Sequence, residues 1–286
     1  MLSYRHGFHA GNHADVLKHL VLVQLLRQLT RKEKPLFFID SHAGAGCYSL
    51  EHGYAVRKAE FANGIARLWS RSDLPAPLAD YVEQVRVVNP DGQLRNYPGS
   101  PQLALQLTRD QDRLRLFELH TNESKALQEY FRGAARRVRV VAGDGFAGLR
   151  AVLPPPSRRG LVLIDPSYEH VSDYRAVSAA VRDALERFAT GTYAIWYPML
   201  QRREAEQLPD QLRRIARDDW LQVSLAVTRP AADGFGLHGS GVFVFNPPWH
   251  LESVLRAAMP ILVKALGQDD EAGYALRSGR ARAPPR

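Results

Sequence analysis

The 286-residue chain contains one cysteine, Cys47. A single thiol excludes an intrachain disulfide and any cysteine-rich zinc site, and it agrees with a reducing compartment. Long apolar runs are also missing. No stretch approaches the ~18 residues that a membrane span needs, and the opening "MLSYRHGFHAGNHADV" lacks the basic-then-apolar order of a signal peptide. These absences predict a cytoplasmic protein with no membrane partner. No exposed heptad or apolar stripe asks for a second chain, so a monomer is expected. Histidines stand at 6, 9, 13 and 19, but without carboxylate or cysteine companions at supporting spacing, and no metal is expected. Cys47 reads as a packing thiol.

What is present is positive charge and a core. The formal charge is +8, the pI is near 9.7, and hydrophobic residues make up 45% of the chain. An excess of arginine over lysine suits phosphate and base-stacking contacts, which points to a polyanionic partner without requiring one. Arg158 and Arg159 are candidates to grip it, or are simply solvated.

The periodicity alternates strands with helices. "ADVLKHLVLVQLLRQLTRK" (14–32) has apolar residues at helical spacing, and "PLFFID" then runs into the glycine turn "SHAGAGCY". Further apolar strands end near Glu118, Asp144, Asp165 and Tyr197, with helical stretches at 124–135 and 173–188 between them. The last two, "LQVSLAV" and "GSGVFVF", read as an antiparallel pair. The fold class expected is α/β: a Rossmann-like, mostly parallel seven-stranded sheet with its last strand antiparallel. Asp40 and Glu118 lie 78 positions apart, far beyond the spacing of about 20 in a simple βαβ unit. A small helical insertion fills the excess. The expected division is 1–50 and 98–267 for the main domain, 51–97 for the insertion, and 268–286 for a flexible basic tail.

Open parallel sheets bind ligands at the carboxyl ends of their strands. There, Gly44 and Gly46 let backbone approach a ligand, Glu118 suits two ribose hydroxyls, and Asp144 with Gly145 suits an adenine amino edge. The third glycine of a dinucleotide fingerprint is Ser49 here, so the pattern favours S-adenosylmethionine over a nicotinamide cofactor.

Two tetrapeptides then compete to be the site that modifies a nucleobase amino group: "DPSY" at 165–168 and "NPPW" at 246–249. DPSY ends a parallel strand, on the ligand edge. NPPW ends the antiparallel strand, on the opposite side, where it is expected to stop the strand and pack Trp249. At DPSY the Asp165 carboxylate and Pro166 carbonyl can accept from an adenine amino group, and Tyr168 offers a stacking face.

The chain resembles the RlmJ family, bacterial methyltransferases of adenine N6 in 23S ribosomal RNA. The resemblance rests on "MLSYRHGFHAGNHADVLKH", "DSHAGAG", "YPGSP", "ELH", "RRGLVLIDPSYE", "RFATGTYAIWYP" and NPPW itself, and covers almost the whole chain. It implies cofactor contacts at His19, His42 with the glycine turn, Ser100, Glu118, Asp144 and Gly145. It makes Asp165 the catalytic acceptor bordering the cofactor, and Tyr4 a substrate contact. Lys18 is added as a residue that meets RNA phosphate or is solvated. The family tetrapeptide is DPPY, whereas this chain has Ser167, which removes a restraint on the Pro166 carbonyl. A DNA adenine methyltransferase would share every chemical residue, and a non-catalytic RNA binder with a relic pocket is the other alternative.

Overall fold

The computed structural model describes residues 6–51 and 59–279. In chain order the elements are α1 (His13–Leu29), β1 (Phe37–Asp40), β2 (Cys47–Ser49), α2 (Ala66–Trp69), α3 (Ala76–Arg86), β3 (Asn96–Pro98), α4 (Ser100–Leu107), β4 (Arg113–Glu118), α5 (Thr121–Tyr130), β5 (Val138–Ala142), α6 (Gly145–Val152), β6 (Gly160–Ile164), α7 (Val171–Arg187), β7 (Thr192–Met199), α8 (Arg203–Ile215), β8 (Trp220–Ala226), β9 (Gly239–Phe245), α9 (Leu251–Leu266) and β10 (Gly273–Gly279). Among the described residues no helix is long and apolar enough to cross a membrane.

The main sheet runs β10-β8-β9-β7-β6-β1-β4-β5. β7, β6, β1, β4 and β5 are mutually parallel, while β9 is antiparallel to β7 and β8. The strand order turns at β1, whose neighbours β4 and β6 lead to opposite halves of the sheet. Such a reversal opens a crevice beyond the strand ends. Every residue of β6 is buried because helices cover both faces. Leu161 and Leu163 join one apolar cluster with α1, and Val162 and Ile164 join the other with α7 and α8.

Helix α1 begins where Asn12 accepts hydrogen bonds from the amides of Ala14 and Asp15. His13 through Leu26 are all buried, so this helix lies inside the molecule and its polar residues go with it. That burial governs the site.

The Rossmann-like α/β class holds, with two differences in detail. Among the described residues the sheet has eight strands instead of seven, because β10 pairs antiparallel with β8 from Gly273↔Ala226 to Gly279↔Trp220. Residues 273–279 of the segment expected as a flexible tail thus form a paired strand. Its residues are half-exposed and lack apolar alternation, as befits an edge strand recruited by backbone pairing, and that left no pattern to detect. The described part of the inserted segment, in turn, shares the main core: Ile65, Leu68, Leu78, Tyr81 and Val85 belong to the same cluster as α1. Pairing of β2 with β3 brings the segment's two ends together.

Truncation after Gly267 would strip the β8 edge of its ladder. The expected result is a melting temperature lower by roughly 5 °C or more, with self-association visible in light scattering.

Candidate active site

Four carboxylates gather at the carboxyl edge of the parallel strands: Asp40 ends β1, Glu118 ends β4, Asp144 caps α6 after β5, and Asp165 follows β6. Beneath them opens a cavity of about 320 Å³ lined by Lys18, His19, His42, Gly44, Ser100, Glu118, Asp144, Phe146, Asp165, Pro166 and Ser167, among others. That is within the usual range for a small-molecule site.

Glu118 is oriented by backbone donors: the Gly44 amide donates to Oε2 (2.8 Å) and the His120 amide to Oε1 (2.7 Å). Each oxygen keeps a lone pair for a ligand hydroxyl. Gly44 adopts φ +62°, and a Cβ there would strike the Tyr48 hydroxyl. Asp144, which lines the cavity, accepts from the Phe146 amide through Oδ1 (2.8 Å), and that bond leaves Oδ2 unused. Gly46 and Gly145 are not among the residues lining the cavity, and each has a packing reason of its own. Gly46 (φ +89°) accepts from the Gly99 amide through its carbonyl, and its Cβ position faces the Phe131 ring. Gly145 brings α6 against the Ser41 carbonyl, where a Cβ would collide.

Lys18 is neither solvated nor placed for RNA phosphate. It is 5% exposed, with Nζ 2.6 Å from Asp165 Oδ2 and 2.8 Å from Asp15 Oδ1. Burial opposes the ammonium, but Asp15 and Asp165 outweigh it and raise the Lys18 pKa. Asp15 also accepts from the Gly11 amide (3.0 Å) and pairs with His6 (3.0 Å). Burial would raise the Asp15 carboxyl, yet His6 and Lys18 hold it well below the usual range.

Tyr168 departs from its expected role. With φ +52° its ring turns back to 3% exposure, contacting Tyr174 and Trp196 at centroid distances of 4.7 and 5.9 Å, and its hydroxyl donates to the Trp196 carbonyl (2.7 Å). It braces the tetrapeptide and offers no stacking face; Pro166 and Ser167 line the cavity instead. Tyr4 lies outside the described residues.

Asp40, named in the sequence only as a strand end, accepts from Ser100 Oγ (2.6 Å) and the His42 amide (3.1 Å). Burial pushes its pKa up to about 7 despite those bonds. His42 Nδ1 lies 2.8 Å from Ser41 Oγ, and its ring meets Phe146 edge-on. His19 is buried with Nδ1 2.8 Å from the Tyr97 hydroxyl. Three of the four clustered histidines have protein partners: His6 takes Asp15, His9 takes Glu60, and His19 takes Tyr97.

NPPW stands apart. Phe245 pairs with Tyr193 at the start of β7, so Asn246 emerges at the opposite edge of the sheet. Its amide group donates to the carbonyls of Ala189 (2.7 Å) and Gly191 (2.6 Å), a turn-fixing role. Trp249 is not packed as expected but 77% exposed.

The family model described as ribosomal RNA large subunit methyltransferase D, RlmJ, matches residues 33–277. The chain belongs to the RlmJ family. It is 48% identical over 262 residues to ribosomal RNA large subunit methyltransferase J of Escherichia coli (strain K12), covering 92% of this chain and 93% of that one. The protein of the same name from Haemophilus influenzae is 45% identical over 267 residues, covering 93% and 94%. A crystal structure of a Legionella pneumophila protein shares the fold with a TM-score of 0.87 at 35% identity, covering 95% of this chain and 98% of that one.

The sequence reading missed Asp15, His6 and Phe146 at this RlmJ-family site. Asp15 and Lys18 are spaced i,i+3, a signal for pairing, but on the surface of an ordinary helix such a pair counts for little. Because both are buried here, Lys18→Met is expected to cost about 3–5 kcal/mol by stranding two carboxylates. Adding Asp15→Asn should recover part of that in urea unfolding; a second full loss would contradict the pairing.

Burial lowers His13 and His42 from an ordinary pKa of 6.5 to about 4, and His19 to about 3. In the unfolded chain they protonate near 6.5, so the stability they contribute is full above that pH and drains as pH falls through their folded values. Asp40 acts oppositely: its contribution is full below 3.8 and lost as pH rises through about 7. Three groups outweigh one. Unfolding free energy, followed by urea titration, should fall by on the order of a few kcal/mol from pH 6.5 to pH 4.

Proposed function

We propose that this protein transfers the methyl group of S-adenosylmethionine to the N6 amino group of an adenosine in 23S ribosomal RNA. It is a ribosomal RNA methyltransferase with S-adenosylmethionine as cofactor, as its membership of the RlmJ family and the names of its relatives support. The observation that carries the reading is the opening of Asp165 and Pro166 onto the same cavity as Glu118 and Asp144. One end of that cavity suits a nucleoside, and the other an amino group to be methylated.

The residues present fit the cofactor. Glu118, held by two amides, has lone pairs for both ribose hydroxyls, and Asp144 Oδ2 can accept from an adenine amino group. The buried, unpartnered Nε2 of His19 remains for the amino-acid end, as do the lone pairs of the Ser100 oxygen, whose hydrogen goes to Asp40. Bound there, the cofactor supplies a methyl group activated by a sulfonium. The protein has to supply the nucleophile's geometry.

An adenine amino nitrogen is a poor nucleophile because its lone pair is spread into the ring. Asp165 Oδ1 and the Pro166 carbonyl accept its two hydrogens and favour a pyramidal nitrogen with its lone pair toward the methyl. Lys18 fixes the carboxylate by holding Oδ2, so that Oδ1 faces the substrate. Orientation of this kind supplies roughly 7–11 kcal/mol of barrier lowering. The proton shed by the methylated nitrogen has Asp165 as its nearest acceptor. Tyr168 acts as a positioning residue through its bond to Trp196, and Tyr4 is retained as a substrate contact on the resemblance. Ser167 adds a backbone donor where the family has proline, and its flexibility is expected to lower turnover without abolishing it. The enzyme acts on this reading as a cytoplasmic monomer, with 1–50 and 98–267 carrying the transfer and 51–97 as the insertion.

The test is transfer of labelled methyl to unmodified 23S rRNA and to DNA, with nucleoside mass analysis. Asp165→Ala should lose about 100-fold or more, Asn246→Ala should retain transfer wherever it folds, and Ser167→Pro should be faster than the parent. Methylation of DNA in preference to rRNA, or loss with Asn246→Ala alone, would overturn the reading.

A further inference from the structure

The insertion reaches the site through a buried chain of hydroxyls. Tyr81, on α3, and Tyr97, on β3, are both completely buried, with their hydroxyl oxygens 2.9 Å apart. The Tyr97 hydroxyl is in turn 2.8 Å from His19 Nδ1. His19 is 1% exposed and lines the cavity, and its Nε2 has no partner among the described residues.

Counting hydrogens along this chain selects a direction. Three arrangements satisfy both distances. In the first, Tyr81 donates to Tyr97, Tyr97 donates to Nδ1, and the ring carries its proton on Nε2, facing the cavity. In the second, Nδ1–H donates to Tyr97, Tyr97 donates to Tyr81, and the Tyr81 hydrogen is left buried with no acceptor among the described residues. In the third, Tyr81 and Nδ1–H both donate to Tyr97, and the Tyr97 hydrogen is left buried without an acceptor among the described residues. A buried donor without an acceptor costs far more than an acceptor with a spare lone pair. The first arrangement uses every hydrogen. Protonating both nitrogens is ruled out near neutral pH, since burial lowers the His19 pKa to about 3.

We propose that Tyr81 and Tyr97 are positioning residues that fix His19 as the Nε2–H tautomer, so that the site presents a neutral donor to the carboxylate of the cofactor's amino-acid end. The inference rests on the S-adenosylmethionine reading. Glu118 and Asp144 take up the nucleoside, so the amino-acid end falls beside His19 and Ser100. With the other tautomer Nε2 would present a lone pair to that carboxylate and repel it. The insertion thereby acts as a specificity device, favouring a cofactor that bears a carboxylate over one that has lost it.

The test combines a tautomer measurement with a binding comparison. In cofactor-free protein labelled with ¹⁵N-histidine, long-range ¹H–¹⁵N correlation should show His19 protonated at Nε2, with the signal assigned by its loss in His19→Gln. Tyr97→Phe should mix the tautomers and weaken S-adenosylmethionine binding about 10-fold, while changing the binding of decarboxylated S-adenosylmethionine less than 2-fold. Tyr81→Phe, which leaves Tyr97 free either to donate to Nδ1 or to accept from it, should show a smaller loss with the same selectivity, and it decides the matter if Tyr97→Phe does not fold. An Nδ1–H tautomer in the wild type, or equal weakening toward both ligands, would overturn the proposal. Wild-type protein that binds neither ligand would overturn the cofactor reading and this inference together. A correct tautomer with unchanged discrimination would overturn the inference alone.

Discussion

A lysine ammonium buried between two carboxylates is the constraint on which this site depends. Lys18 Nζ lies 2.8 Å from Asp15 and 2.6 Å from Asp165; Lys18 and Asp15 are buried, and Asp165 opens only onto the cavity. Removing such charges from water is expensive, so the arrangement persists only while all its members are in place. It ties α1, which carries Lys18 and Asp15, to the loop after β6, which carries Asp165. His6 and the Gly11 amide complete the coordination of Asp15, so the segment preceding α1 is drawn into the same network. A helix buried on every side is therefore what aims the catalytic acceptor.

The topology explains why this network can face a cofactor. β1 lies at the reversal of strand order, and its last residue, Asp40, sits under the crevice with Ser100 and the His42 amide bound to it. The glycine turn that follows meets Glu118 on one side, and Asp165 approaches from the other. The inserted segment leaves and rejoins the main chain through the β2–β3 pair, which places Tyr97 against His19. Cofactor pocket, acceptor and insertion thus share one edge of the sheet, and NPPW lies on the other.

The fold was legible in the sequence because apolar runs of period 2 and 3.6 are written into strands and helices that cover a core. The acidic residues ending those strands were legible too, since the parallel order fixes which edge they occupy. What escaped was set by three-dimensional packing. Nothing local in "LKH" shows that Lys18 is enclosed, because an amphipathic reading of α1 would leave it in water. Tyr168 read as a stacking face because the motif supplies an aromatic ring, but the left-handed backbone there turns the ring inward. Gly46 and Gly145 have packing reasons that no local pattern shows, since their missing side chains make room for Phe131 and Ser41. β10 carries no apolar alternation, and Trp249 is exposed where packing was expected.

The coupling of Lys18 to Asp165 in turnover tests the account most directly. Single-turnover methyl transfer to 23S rRNA would be measured for wild type, Lys18→Met, Asp165→Asn and the double variant, each at saturating cofactor. If Lys18 acts by aiming Asp165, the double variant will be no slower than Asp165→Asn alone, within about 3-fold. Losses that multiply across the pair would contradict the account, because Lys18 would then contribute to transfer independently of the carboxylate it holds.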